Sequence, residues 1–356
     1  MNVVAGRRSW EGHGVSLTGH RLIRHPRPPG IDTLQCRQRY GLGAVPDPQH
    51  RAMMAGLLDS GLLDALVAFA LEHEPAVDQA GARARAGLLA AEFEAFGLAV
   101  PAATIRTITV MRTLMVPVSD EDLAFALDRV WVFGTFLDDL CSRAPAEAEA
   151  VLQEALLPER PPSRPTTRYL RHVFAQLAPF CEPTFLAVYR AFLHNALIGV
   201  LMEAEFTPEV SDVVDSDFVR AYNGFSQFWF VSLQFTHPCL DAGSNRAFWS
   251  AALSSGVTFL NDVNDVLSCY KEALDGADFA GSRLYRTSMR EGIPYQTVAR
   301  RALAGGLAAR DRLLALATDD QRPHLERYAA GYVYFHLRCR RYRWNDIYPG
   351  LTPIDT

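Results

Sequence analysis

Apolar residues recur at intervals of three and four through almost the whole chain after Gln49, and no stretch alternates as a strand would. Leu57, Leu58, Leu62, Leu63, Leu66 and Val67 set the pattern, and the 80s are alanine-rich. That spacing puts one apolar stripe on a helix turning about 3.6 residues at a time. Pro75 separates two such helices. Ile105 to Val116 is apolar and β-branched, open to strand or helix by itself and read as helix from its surroundings. Ser119-Asp120-Glu121-Asp122 resembles a capping box with acid in the first turn. It launches a helix through Leu123, Leu127, Val130, Trp131, Phe133 and Phe136 to Asp138 and Asp139. Prolines at 158, 161, 162 and 165 make a loop, and Pro179 and Pro183 interrupt the helical run from Tyr169 to Phe206. Further helices are expected over Trp249–Ala273, Tyr295–Ala317 and His324–Asp346. The pattern predicts an all-α fold: one domain of about ten helices, many apolar on more than one face and so packed around a centre.

The expected boundaries are an N-terminal extension over 1–47, rich in Arg, Gly and Pro, a helical domain over 48–350 and a short tail over 351–356. Hydrophobic residues at 49% and charged residues at 21% fit a globular chain. A formal charge of −5 gives no electrostatic case for nucleic acid or an anionic membrane surface. The six cysteines (36, 141, 181, 239, 269 and 339) form no C-x-x-C pair and show no His partners at zinc spacing. This argues against a structural metal or a disulfide framework and for a reducing compartment, the cytosol. No secretory signal is visible, and the apolar runs look too short and interrupted to span a bilayer.

Four clusters carry chemistry. Asn264, Ser268 and Glu272 stand at i, i+4 and i+8, within roughly 80° of arc on one helix face. An amide carbonyl, a hydroxyl and a carboxylate so aligned suit a hard cation such as magnesium. A solvated helix face would use the same residue types. Lys271, the only lysine, precedes Glu272. Asp138 and Asp139 end an otherwise apolar helix, where the dipole and their mutual repulsion disfavour them unless cations neutralise them. Arg220 precedes Asn223-Gly224, where glycine can relax a helix and bare a carbonyl, and a guanidinium can grip phosphate bidentately. Four arginines lie between Arg338 and Arg343, a solvated face, a nucleic-acid patch or, through Arg341 and Tyr342, a buried anion site. Phe133, Phe225, Trp229 and Tyr334 lie near these positions and could line an apolar pocket; ordinary core packing explains each equally well.

Taken in order, Asp138-Asp139, Arg220 with Asn223-Gly224, the Asn264/Ser268/Glu272 triple with Lys271, and Arg341-Tyr342 resemble class I terpene cyclases, the trichodiene synthase family in particular. The similarity covers roughly residues 120–348. It implies the class I terpenoid synthase fold around a central active-site cavity, three magnesium ions and a prenyl diphosphate substrate, farnesyl diphosphate on the trichodiene-type likeness. By the same resemblance Asp138, Asn264, Ser268 and Glu272 would be the metal-binding catalytic residues. Arg220, Lys271, Arg341 and Tyr342 would bind diphosphate, while Asp139, Asn223 and Gly224 would support them. The family's further acid, four positions after its first aspartate, is here Ser142. Members are often dimers, so the resemblance admits a homodimer. Geranyl or geranylgeranyl diphosphate substrates and a non-catalytic prenyl-binding homologue stay open as alternatives.

Overall fold

The computed structural model of the chain describes residues 62–72, 77–156, 161–204, 216–223, 225–274, 282–347 and 350–354, all in one compact unit. The expected extension over 1–47, Gly224 and Pro75 lie outside these residues. Fourteen α-helices appear among the described residues, with no strand. They are α1 (Leu62–Glu72), α2 (Gln79–Ala95), α3 (Ala102–Met115), α4 (Glu121–Arg143), α5 (Pro145–Leu156), α6 (Pro165–Leu177) and α7 (Pro183–Ala204). After these come α8 (Ser216–Asn223), α9 (Ser226–Val231), α10 (Arg246–Leu274), α11 (Arg283–Glu291), α12 (Tyr295–Leu316), α13 (Arg322–Arg338) and the short α14 (Trp344–Ile347). The ambiguous stretch from Ile105 is helical, as its neighbours require.

Local chemistry sets several helix ends. Asp120, one residue inside the expected capping box, accepts from the Leu123 amide and starts α4. Gly292 ends α11 at φ 64, a left-handed conformation that costs glycine least. The last expected helix is split. α13 stops at Arg338, Cys339 turns extended, and Arg340–Tyr342 form a 3-10 turn closed by Arg343 at φ 63. Arg341 and Tyr342 therefore sit on a turn instead of a helix face.

α10 is the central element. It lies along α12 and also meets α9, α13 and α8. Val257, Phe259, Leu260, Val263, Val266, Leu267 and Cys269 are buried around more than one side of it, as the sequence pattern requires. Each such apolar side chain contributes about 1.5–3 kcal/mol of transfer free energy. Tyr332 of α13 donates to the Leu260 carbonyl at 3.1 Å, and Trp344 of α14 to that of Leu267 at 2.7 Å. α4 packs on α3, α5, α6 and α7, and α7 in turn on α8 and α9. At Gly199 of α7, a Cβ would lie 2.5 Å from the Asn223 amide nitrogen, so only glycine lets the end of α8 approach so closely. Pro183–Glu203 within α7 is, by length and composition, long and apolar enough to cross a membrane. That run is longer and more apolar than expected; the helix packs against α4, α5, α8 and α9 and leaves Val188, Ile198 and Met202 exposed. The five described cysteines are free thiols.

Candidate active site

The triple on α10 stacks as its spacing predicts. Ser268 is buried and its hydroxyl donates to Glu272 Oε1 at 2.5 Å. Asn264, one turn earlier, is half-buried. Its Oδ1 accepts from Arg220 Nη2 at 2.7 Å, and its Nδ2 lies 3.0 Å from His336 Nε2. His336 is fully buried with Nδ1 2.8 Å from the Tyr332 carbonyl. Burial pushes its pKa down to about 4, so the ring is neutral at physiological pH. A neutral ring whose Nδ1–H donates to Tyr332 must accept at Nε2 from the Asn264 amide. That fixes the amide and leaves its oxygen, the metal-capable end, on the Arg220 side. His336 has no local sequence signal; only the packing of α13 on α10 exposes its role.

The two candidate acids stand on α4, which runs four residues past Asp139. They therefore occupy the last turns of the helix instead of its end. Asp138 is raised to about 6, first by burial, next by Asp139 and then by Glu203, while Arg341 and Arg220 pull it down. Asp139 Oδ2 lies 3.6 Å from Arg143 Nη2 one turn on. Ser142 is exposed in the same turn. On α10 the Glu272 carboxyl is also raised, chiefly by burial; Ser268, Lys271 and Arg220 oppose the shift and Asp265 adds to it. Arg220 thus acts on Asp138, on Glu272 and directly on Asn264, so the acids of α4 and the triple of α10 belong to one electrostatic neighbourhood.

Arg220 is also the last-turn cation of α8, and the break behind it is where the sequence suggested one. α8 ends at Asn223 and α9 begins at Ser226. Phe225 between them is left-handed at φ 53, a strain of about 1–2 kcal/mol for a bulky residue. Asn261 of α10 clamps the break: its Nδ2 donates to the Arg220 carbonyl at 3.1 Å, and its Oδ1 accepts from Ser226. Asn223 is buried and its amide donates to Glu203. Arg341 is exposed on its 3-10 turn, whereas Tyr342 is buried with its ring 4.3 Å from that of His336. Lys271 is half-buried beside the triple.

Beneath these groups runs an ion-pair network that the spacing did not reveal. Arg220 pairs with Asp265 Oδ1, with Nε at 2.9 Å and Nη2 at 2.8 Å. Arg283 of α11 reaches Asp262 at 2.5 Å, Asp265 at 2.6 Å and Asp217 at 3.1 Å. Asp262 is nevertheless raised to about 6 by burial. Asp262 and Asp265 interrupt an otherwise apolar helix, which was the available signal. Their partners lie on other helices. Among the described residues, Arg220 Nη1 is the least engaged of its donors, with a 3.5 Å contact to Asn223.

The aromatic candidates are all buried and belong to the one hydrophobic core. Phe225 stacks on Trp229, which leans on Trp131 at 4.5 Å. Phe133 joins Phe136 and Tyr169, and Tyr334 faces the Arg338 guanidinium at 5.2 Å.

The structure also assembles a group that local spacing missed. His237, Cys239 and His324 bring their ligand atoms within 4.8 Å of one another and could coordinate a metal ion. His324 is 85 residues from Cys239, so no short motif signals it. Two imidazoles and a thiol are not a magnesium set. Gln321 ties this group to Asn245, just before α10 begins. It therefore lies about 28 Å along that helix from Asn264, at 1.5 Å per residue.

No family model matches the chain. A stretch of 146 residues is 26% identical to "Terpene synthase BipA" of the fungus Cochliobolus sativus, with the same figures for that protein from a particular strain of the species. The match covers 39% of this chain and 42% of the fungal protein, less than half of either. With the helical bundle, this weak similarity makes the chain terpenoid-synthase-like without assigning it to a subfamily.

Proposed function

We propose that the protein is a magnesium-dependent terpene cyclase that ionises farnesyl diphosphate and cyclises the resulting cation with release of diphosphate. The observation that carries this reading is that the Arg220 guanidinium, which donates to the Asn264 amide, is near enough to pull on the charges of both Asp138 and Glu272. The similarity to a terpene synthase supports the same reaction class.

The donor set suits hard divalent ions: Asp138 on α4, and Asn264, Ser268 and Glu272 on α10, all oxygen ligands. Desolvated carboxylates that crowd one another, as Asp138 does with Asp139 and Glu203, are the groups such ions neutralise. When bound, magnesium would supply Lewis-acid stabilisation of the departing diphosphate. The chain's own residues do the rest. Arg220 Nη1, Lys271, Arg341 and the Tyr342 hydroxyl donate to diphosphate oxygens and hold the leaving group in place. Asp265 orients the Arg220 fork, and His336 orients the Asn264 amide. Phe225 and Trp229, near the break between α8 and α9, offer aromatic faces worth about 0.5–2 kcal/mol each to a nearby cation without acting as bases. A water-poor lining keeps the cation from early quenching.

The test is incubation of the full chain with C10, C15 and C20 prenyl diphosphates, with and without magnesium, and mass spectrometry of the organic extract. A cyclic C15 product formed only with magnesium is expected. A C10 or C20 product would correct the chain length, and no product from any substrate would overturn the reading.

A further inference from the structure

The cluster at the far end of α10 carries an inference independent of the cyclase reading. We propose that His237, Cys239 and His324 form a binding site for a borderline-soft divalent ion, zinc by preference, which staples the turn before α10 to the first turn of α13.

Ligand chemistry comes first. Two neutral imidazoles and one thiolate prefer zinc to magnesium or calcium, and three protein ligands leave the fourth tetrahedral position to water. The ligands come from two segments held together without any ion. Gln321, buried, donates through Nε2 to the Cys239 carbonyl at 2.9 Å and to Asn245 Oδ1 at 3.2 Å, while its Oε1 accepts from the Thr318 amide at 3.2 Å. Trp249 Nε1 donates to the Leu240 carbonyl at 2.9 Å and fixes the other side of the Pro238–Leu240 turn. Supporting hydrogen bonds of this kind set ligand positions in known sites.

The three ligand groups already face one another. The two histidine rings lie face to face with centroids 4.6 Å apart. Cys239 Sγ lies 3.5 Å from the Asp320 carbonyl, and its backbone amide donates to His237 Nδ1 at 3.2 Å. Binding would release the thiol proton to solvent and form a metal–sulfur bond, with no change in oxidation state. Bonds of about 2.0–2.3 Å in a tetrahedron want ligand atoms about 3.3–3.7 Å apart. The ligand atoms now lie within 4.8 Å of one another, and His237 is the exposed member of the group, the one least held by packing.

The distance from Asn264 separates this site from the acid clusters, so it is structural and takes no part in the proposed turnover. The experiment uses the full chain stripped with chelator and then titrated with zinc, and with cobalt as a spectroscopic probe. We expect one zinc per chain that survives desalting, a rise in thermal midpoint, and intense four-coordinate cobalt bands with a thiolate charge-transfer feature. Cys239→Ser should lose that feature, and His324→Ala should lose the zinc-dependent rise, while Cys181→Ser keeps both. If a variant fails to fold, cobalt binding by the wild type under competition from a fluorescent zinc chelator still decides. Zinc held only weakly, or cobalt spectra unchanged in Cys239→Ser, would overturn the proposal. Magnesium-dependent turnover that persists in the zinc-free wild type is expected and keeps this test apart from the test of cyclase activity.

Discussion

Two aspartates ten residues apart on α4 have opposite surroundings. Asp128 is fully buried between two guanidiniums, with Oδ2 2.7 Å from Arg85 Nε and Oδ1 2.6 Å from Arg112 Nε. Arg85 also reaches Thr113 and Glu121, and Arg112 the Val116 carbonyl, so the cluster ties α2, α3 and α4 together. Asp138, about 15 Å further along the helix, is desolvated beside Asp139 and Glu203. Its cations, Arg341 and Arg220, do not offset them. In one place the fold supplies the countercharge. In the other it leaves a charge deficit that an added cation would fill, and on the proposed reading that contrast separates an acid kept for structure from one kept for chemistry.

The comparison can be broken from either side. Asp128→Asn should be the most damaging change. It strips the countercharge from two buried arginines and should cost about 3–5 kcal/mol, read as a lower urea midpoint. A midpoint equal to wild type would show that the triad is not structural. Glu272→Ala should leave the fold helical and lower turnover by roughly 10²–10³-fold, about 2.7–4 kcal/mol of transition-state stabilisation. Full activity would remove Glu272 from the site.

His336→Phe should act through Asn264. Loss of an orienting partner typically costs about 10–100-fold in metal affinity, so the magnesium concentration for half-maximal turnover should rise with a smaller change in maximal rate. An unchanged magnesium dependence would show that the ring only fills space.

The smallest effect runs in the unusual direction. A carboxyl raised to about 6 in the fold holds its proton more tightly than in the unfolded chain, so the contribution of Asp138 to metal-free stability is greatest below about pH 4. It then falls as pH rises from about 4 through about 6. Asp138→Asn should remove that loss and stabilise the metal-free protein at pH 7.5 by about 1 kcal/mol, after discounting for solvent reaching the group. Part of the slope should remain, because Asp262 is also raised to about 6. A destabilised Asp138→Asn protein would place Asp138 with Asp128 as a structural acid.

Much of this was legible in the chain because it is local. Three-and-four periodicity gave the helical bundle, and the i, i+4, i+8 spacing put Ser268 against Glu272. Proline and glycine marked most breaks. What stayed hidden depends on contacts between distant helices. Asp265 is one residue from Asn264, yet its partner Arg283 lies on another helix. His336 sits on an apolar face and gains meaning only from the amide it meets. The turn at Cys339 has neither glycine nor proline to announce it, and His324 joins His237 and Cys239 only through tertiary packing.

The most direct measurement is calorimetric titration of the protein with inorganic pyrophosphate at pH 7.5, with and without magnesium. The account predicts binding only when magnesium is present, abolished in Asp138→Asn and in Glu272→Ala alike. Equal binding without magnesium, or undiminished binding in both variants, would contradict it.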